Sequence, residues 1–197
     1  MNLFDRAKNI IMTPKTEWPV IAGEEPNVAQ ILTGYVLPLA LIPTIASLLG
    51  FGFIGRGFGA SLRWGIAMGL IQFVSAFLGV CITAYVADLL APNFGSQKNL
   101  GRAMQLVAYS YTPGWIAGVF LLFPMLGILA TLAMLYGLYL LYLGMPHMMK
   151  TPQDKAVAYL VVLIVVVIVV YLVISAILTP IFMGIFGLSA FSMMRGR

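Results

Sequence analysis

DLLAPNFGSQKNLGRAMQLVAYSYTPGWIAG, residues Asp88–Gly118, is the longest interruption in a chain that is otherwise nearly all apolar. It holds the densest mixture of polar, charged, Pro and Gly residues, and it lies between segments with helical patterning. Two long apolar runs lead into it, and the sequence after the polar loop supplies three more. Its reading therefore decides whether the chain is a soluble core or a series of membrane crossings.

Composition selects the second. The chain is 61% hydrophobic and 9% charged, with a mean hydropathy of +1.01. A soluble domain carries about 25% charged residues because its surface faces water. With so few charges, most of the outside must face lipid. The net charge of +5 is spread over inter-helix and terminal segments and forms no basic patch, so it reads as membrane topology and not as a nucleic-acid surface. The single cysteine, Cys81, lies inside an apolar run, which excludes a disulfide framework or a Cys-based metal motif.

Outward from the central stretch, the second span is about residues 62–87. Gly65, Gly69, Gln72, Ala76, Gly79 and Thr83 alternate by four and three residues along it and share one face. Small residues let helix backbones approach closely where lipid gives no hydrophobic drive for association. This face is expected to be the packing seam of a central helix, with Gln72 turned to a neighbour because an unpaired amide in hydrocarbon is costly. The first span, 30–53, contains Pro38 and Pro43 and runs into a Gly-rich turn around Arg56. Ahead of it, residues 1–29 read as an interfacial segment. Leu3, Phe4, Ala7, Ile10 and Ile11 lie opposite Asp5, Arg6, Lys8 and Asn9, Thr13-Pro14 opens a second short helix, and Trp18 suits a headgroup-level anchor.

Downstream, the third span (100–123) carries Pro113, which crowds the carbonyl at Tyr109 and predicts a kink. The fourth is 125–143. Thr151-Pro152-Gln153-Asp154 reads as a Thr cap, Pro at the first helical position and an acid at the third, launching the fifth span, 156–178. That last helix lacks small or polar interface residues over 159–174 and is expected at the periphery; 179–197 is the tail. Five crossings put the termini on opposite sides. Arg6, Lys8, Lys15, Lys98, Arg102, Lys150 and Lys155 lie on the N-terminal side and Arg56, Arg63, Arg195 and Arg197 on the other. This predicts a cytoplasmic N-terminus and a C-terminus opposite.

Few residues carry chemistry. Met145, His147, Met148 and Met149 are the nearest thing to a metal set, since thioethers with an imidazole suit Cu(I). Pro146 intervenes and the chain has one His, so the reading is an interfacial loop with His147 in water, and no metal or cofactor is expected. Asp88 is read as a loop anchor with Lys98 or Arg102 as its partner. With Tyr109, Tyr111 and Trp115 it is also the place to look for a polar site, because broken helices facing polar groups build mid-membrane sites in transporters. There is no Ser-His-acid set, no HExxH and no pair of carboxylates in reach, so an enzyme is not expected.

RAKNIIMTPKTEWPVIAGE near the start, LGRAMQLVAYSYTPGWIAGVF in the centre and YLLYLGMPHMMKTPQDKA before the last helix together resemble the Yip family of multi-span membrane proteins, in its short bacterial form. The resemblance covers almost the whole chain as one domain. It implies an all-α integral membrane protein of five transmembrane helices in an inner membrane. Eukaryotic members look like organisers of vesicle traffic that bind prenylated Rab-type GTPases, with a longer N-terminal region and an Asp-Leu-Tyr-Gly-Pro motif. Here Asp88-Leu89-Leu90-Ala91-Pro92 lacks the Tyr-Gly pair and follows the second span, so GTPase binding is not carried over. The expected role is a non-enzymatic scaffold that associates with lipid, with itself or with other membrane proteins. The alternative is a small transporter or lipid-moving protein using the kinked third helix.

Overall fold

The computed structural model describes residues 2–54 and 61–185. The glycine turn around Arg56, and Arg195 and Arg197 in the tail, lie outside them. Every regular element among the described residues is helical. Helices α1 (Leu3–Met12) and α2 (Pro14–Ala22) form an N-terminal strap. They are followed by α3 (Val28–Ile54), α4 (Leu62–Leu90), α5 (Leu100–Ser110), α6 (Thr112–Ala117), α7 (Gly127–Met148) and α8 (Gln153–Ile185).

Helix starts follow local chemistry. The side chains of Asn2, Asn27, Ser61 and Asn99 each accept a hydrogen bond from the backbone N–H three residues on, capping α1, α3, α4 and α5. Two expected starts behave differently. Thr13 precedes Pro14 as read, but its hydroxyl turns back to the Asn9 carbonyl. Thr151 does not cap α8; its Oγ1 accepts from Ser96 at 2.9 Å, and α8 begins only after Pro152. Beside that bond the Gln97 N–H donates to the Met149 carbonyl at 2.7 Å. The polar loop of the central stretch is thereby tied to the loop that launches the last helix.

Four helices among the described residues are long and apolar enough to cross a membrane: Val28–Ile54, Leu62–Phe94, Gly127–Met148 and Gln153–Ile185. The expected third crossing, 100–123, is not one continuous helix. It breaks at Tyr111 between α5 and α6 and tightens into a 3-10 turn over Gly118–Leu122. Pro113 is the cause, because its ring displaces the carbonyl of Tyr109 from the helical ladder. That carbonyl instead accepts from the Thr112 hydroxyl at 2.7 Å. Pro38 is handled differently, with a wide π turn over Leu32–Val36 just ahead of it.

The strap is seated deeper than its amphipathic pattern suggested. Its buried residues include Arg6, Ala7, Ile10, Glu17, Trp18 and Ile21, whereas Phe4 is 75% exposed. The inward face of α1 is thus rotated so that a charged residue points in. Trp18 is not a headgroup anchor: it is fully buried. Gly144 on α7 makes the notch, since a Cβ there would lie 2.8 Å from the Trp18 ring. The Tyr136 hydroxyl donates to the Ile11 carbonyl at 2.7 Å and fixes the end of α1. At the opposite extreme, α8 buries only Ala156, Tyr159 and Leu163 and presents Val157, Val161, Val165, Val169 and Leu172 outward.

Candidate functional site

The break at Tyr111 places two cavities, each about 320 Å³, around the third helical segment. One is apolar and lies among α3, α4, α6, α7 and α8. Its lining includes Gln72, Ala76, Gly79 and Thr83 of the expected seam together with Tyr111 and Trp115. Thr83 and Tyr111 hydroxyls meet at 2.9 Å, and the Tyr111 and Trp115 rings pack edge to face with centroids 6.0 Å apart.

The small-residue face of α4 therefore has two environments. At its Leu62 end it meets α3 closely: Gly65 lies against the Leu48 carbonyl and Gly52, and a Cβ on Gly69 would lie 3.2 Å from the Thr44 carbonyl oxygen. Farther along, Gly79 has only the Tyr111 ring at 4.0 Å from such a Cβ, so the face opens into the cavity. Gly69→Leu should lower stability in detergent by about 2 kcal/mol through overpacking, while Gly79→Leu fills space and costs well under half of that. Thermal unfolding followed by circular dichroism would check this, and equal losses would contradict the division of the face.

The second cavity is polar and half open. It lies between the strap, α3 and α5, and Arg6, Glu24, Glu25, Gln30, Gln105 and Tyr109 line it with Tyr35. Arg6 is 5% exposed. Its guanidinium donates to Glu17 at 2.6 Å and to Glu24, and sits 5.5 Å from the centre of the Tyr109 ring, a cation–π placement. Tyr109 in turn packs edge to face on Tyr35 at 4.7 Å and on Trp18 at 6.5 Å. Tyr35 shares a 2.7 Å hydrogen bond with Thr112. Arg102 donates to the backbone carbonyls of Ile21 and Glu24, at 3.3 and 2.7 Å, and to Gln105 at 3.2 Å. A guanidinium at the C-terminal end of α2 meets the negative end of that helix's dipole and holds the turn that follows it.

The residues singled out from the sequence thus separate. Tyr111 and Trp115 join the apolar cavity and Tyr109 the polar one. Asp88 lines neither. It is 5% exposed with Oδ1 lacking a hydrogen-bond partner among the described residues. Neither Lys98 nor Arg102 forms an ion pair with it, because Arg102 is committed to the strap's carbonyls. Beside it, Tyr159 donates to the Ala87 carbonyl and stacks on Phe94 at 4.9 Å. Met145, Met148 and Met149 are buried in the core, whereas His147 is exposed. The thioethers and the imidazole therefore occupy different environments.

The sequence pattern alone does not mark Arg6, Glu17, Glu24 and Gln105 as site residues. Arg6 and Glu17 are eleven apart across the Pro14 break, so no helical periodicity joins them. The available signal was scarcity: in a chain with 9% charge, a cation and an acid on facing apolar helices must find each other.

A helical bundle with four crossing-length apolar helices and a lipid-facing exterior is a multi-span membrane protein. The Yip1 domain model matches residues 8–177, and the chain belongs to that family. Among curated proteins it is similar to the inner membrane protein YohC of Escherichia coli strain K12, 29% identical over 155 residues, covering 74% of this chain and 80% of that one. The protein of the same name from the O6:H1 strain matches equally. No solved structure matches.

Proposed function

We propose that this protein is a non-enzymatic organiser of a bacterial inner membrane, acting through lateral association with copies of itself or with other membrane proteins. The observation that carries this reading is α8, which has crossing length yet buries three residues and leaves an aliphatic stripe over Val157–Leu172 without a partner among the described residues. β-branched side chains are stiff at χ1 and lose little rotamer entropy on packing, so the stripe can pair by interdigitation without the small residues on which closer helix contacts rely. The inner-membrane placement rests on the similarity to YohC, and the positive residues favour a cytoplasmic N-terminus.

A single cysteine at Val165 in a Cys81→Ser background tests the association. Oxidation in native membranes should give a disulfide-linked species at twice the monomer mass, and a photo-crosslinking residue at the same position should capture a different membrane protein that offers no thiol. A monomer at every expression level, with the same result at Val161 and Val169, would overturn it. The lipid-moving alternative is favoured by the two cavities flanking the Tyr111 break. It predicts that cysteines at Gln72 and Tyr111 react with a membrane-impermeant thiol reagent, where an organiser leaves them sealed.

A further inference from the structure

The polar cavity has a charge balance that selects its ligand. Arg6 is its buried cation, and both Glu17 and Glu24 already hold it. Glu25, exposed at the rim, adds a third carboxylate. Arg6 with these three acids sums to a formal charge of −2, and counting the adjacent Arg102 leaves −1. A simple anion has no spare cation to meet there, and the net negative charge favours a ligand that brings positive charge.

The floor asks for something more. Gln105 is 2% exposed, and its Oε1 is taken by Arg102, which leaves its amide hydrogens to the cavity that it lines. Tyr109 is 8% exposed and lines the same floor, and its hydroxyl has no hydrogen-bond partner among the described residues. Both donors lack a protein acceptor and open onto the cavity, so a ligand oxygen can accept from them in place of water. An apolar shoulder of Leu3 and Ile31 adjoins them. A ligand fitting all three features carries an ammonium, an acceptor oxygen a few bonds away, and an apolar continuation.

We propose that this cavity binds a zwitterionic phosphoryl-amine with a primary ammonium, the chemistry of an ethanolamine phospholipid headgroup. The ammonium lies between Glu24 and Glu25, and a phosphoryl oxygen accepts from Tyr109 and Gln105. A primary ammonium offers three N–H donors to the carboxylates, which a quaternary one does not. The site is independent of the association through α8.

The test uses the full chain in nanodiscs of equal parts phosphatidylethanolamine, phosphatidylcholine and phosphatidylglycerol, released into a native mass spectrometer. One phosphatidylethanolamine per chain should be retained in preference to the other two. Glu25→Gln, which removes an exposed carboxylate, should weaken that retention about three- to fivefold. Tyr109→Phe should weaken it by a similar factor, and the double variant by more than about tenfold. Circular dichroism melts of the variants separate lost binding from lost folding, and Glu25→Gln leaves the fold's interior untouched. A melting shift with free phosphoethanolamine, absent lipid retention, would support the same chemistry with a soluble source. Equal retention of the three lipids, or preference unchanged in the double variant, would overturn it.

Discussion

Arg6→Leu should detach the N-terminal strap. The guanidinium is buried and answers two carboxylates, so its removal strands Glu17, which is itself 5% exposed. Breaking a buried pair by removing one partner costs about 3–5 kcal/mol, because the remaining charge must be buried alone, be protonated or escape to water. Escape is available here only by undocking α2, so the loss should appear as protease cleavage within residues 1–27 while α3 onward stays intact. Arg6→Leu with Glu17→Gln should recover a large part of the stability, since no uncompensated buried charge then remains: the Glu24 side chain is 42% exposed and can turn to water. Lys8→Leu, on the exposed side of the same helix, should change little. If the double variant is as protease-sensitive as Arg6→Leu alone, the ion pair is not what seats the strap.

Trp18→Ala should be comparably severe, about 3–5 kcal/mol, because it empties the largest fully buried side chain in the molecule's described part. Trp18→Phe should cost far less than a buried Trp usually does. The indole Nε1 has no hydrogen-bond partner among the described residues, so phenylalanine gives up aromatic volume and also discards a donor that was paying a desolvation penalty. Gly144→Val should reproduce much of the Trp18→Ala loss from the opposite side of the contact, since the added carbons would enter the indole and Leu106. Intrinsic tryptophan fluorescence during denaturation in detergent would rank the Gly144 variant, and circular dichroism would rank all three. A Trp18→Phe loss equal to Trp18→Ala would show that the donor is satisfied after all.

The sequence carried the fold because the fold's medium is written in bulk composition, and the kink because Pro113 acts on its own neighbours. Long apolar runs, asparagine caps and helix-breaking prolines are local signals. The N-terminal strap shows where local signals fail. The apolar stripe of α1 placed Arg6 on the solvent side, but the bundle offered Glu17 and Glu24 as partners, and pairing a charge outweighed burying Phe4. Nothing within a helix turn of Arg6 announces partners eleven and eighteen residues away. Asp88 failed in the converse way, since its proposed cationic partner was drawn off by carbonyls at the end of α2. The polar cavity was illegible for the same reason: its walls come from three segments that only tertiary packing brings together.

The bond from Tyr136 to Ile11 spans 125 residues, and the Trp18 notch lies on the same late helix. During synthesis at about 5–20 residues per second, the strap is made roughly 6–25 seconds before its seat exists. Through that interval Trp18 lacks its Gly144 notch and the end of α1 lacks its bond to Tyr136, while only Arg102 and Tyr109 of α5 are present to hold the strap. Completion of α7 is therefore the event that closes the seat and buries Trp18. A nascent chain arrested before Gly144 should still expose its first residues to protease, and one arrested after α7 has left the ribosome should not.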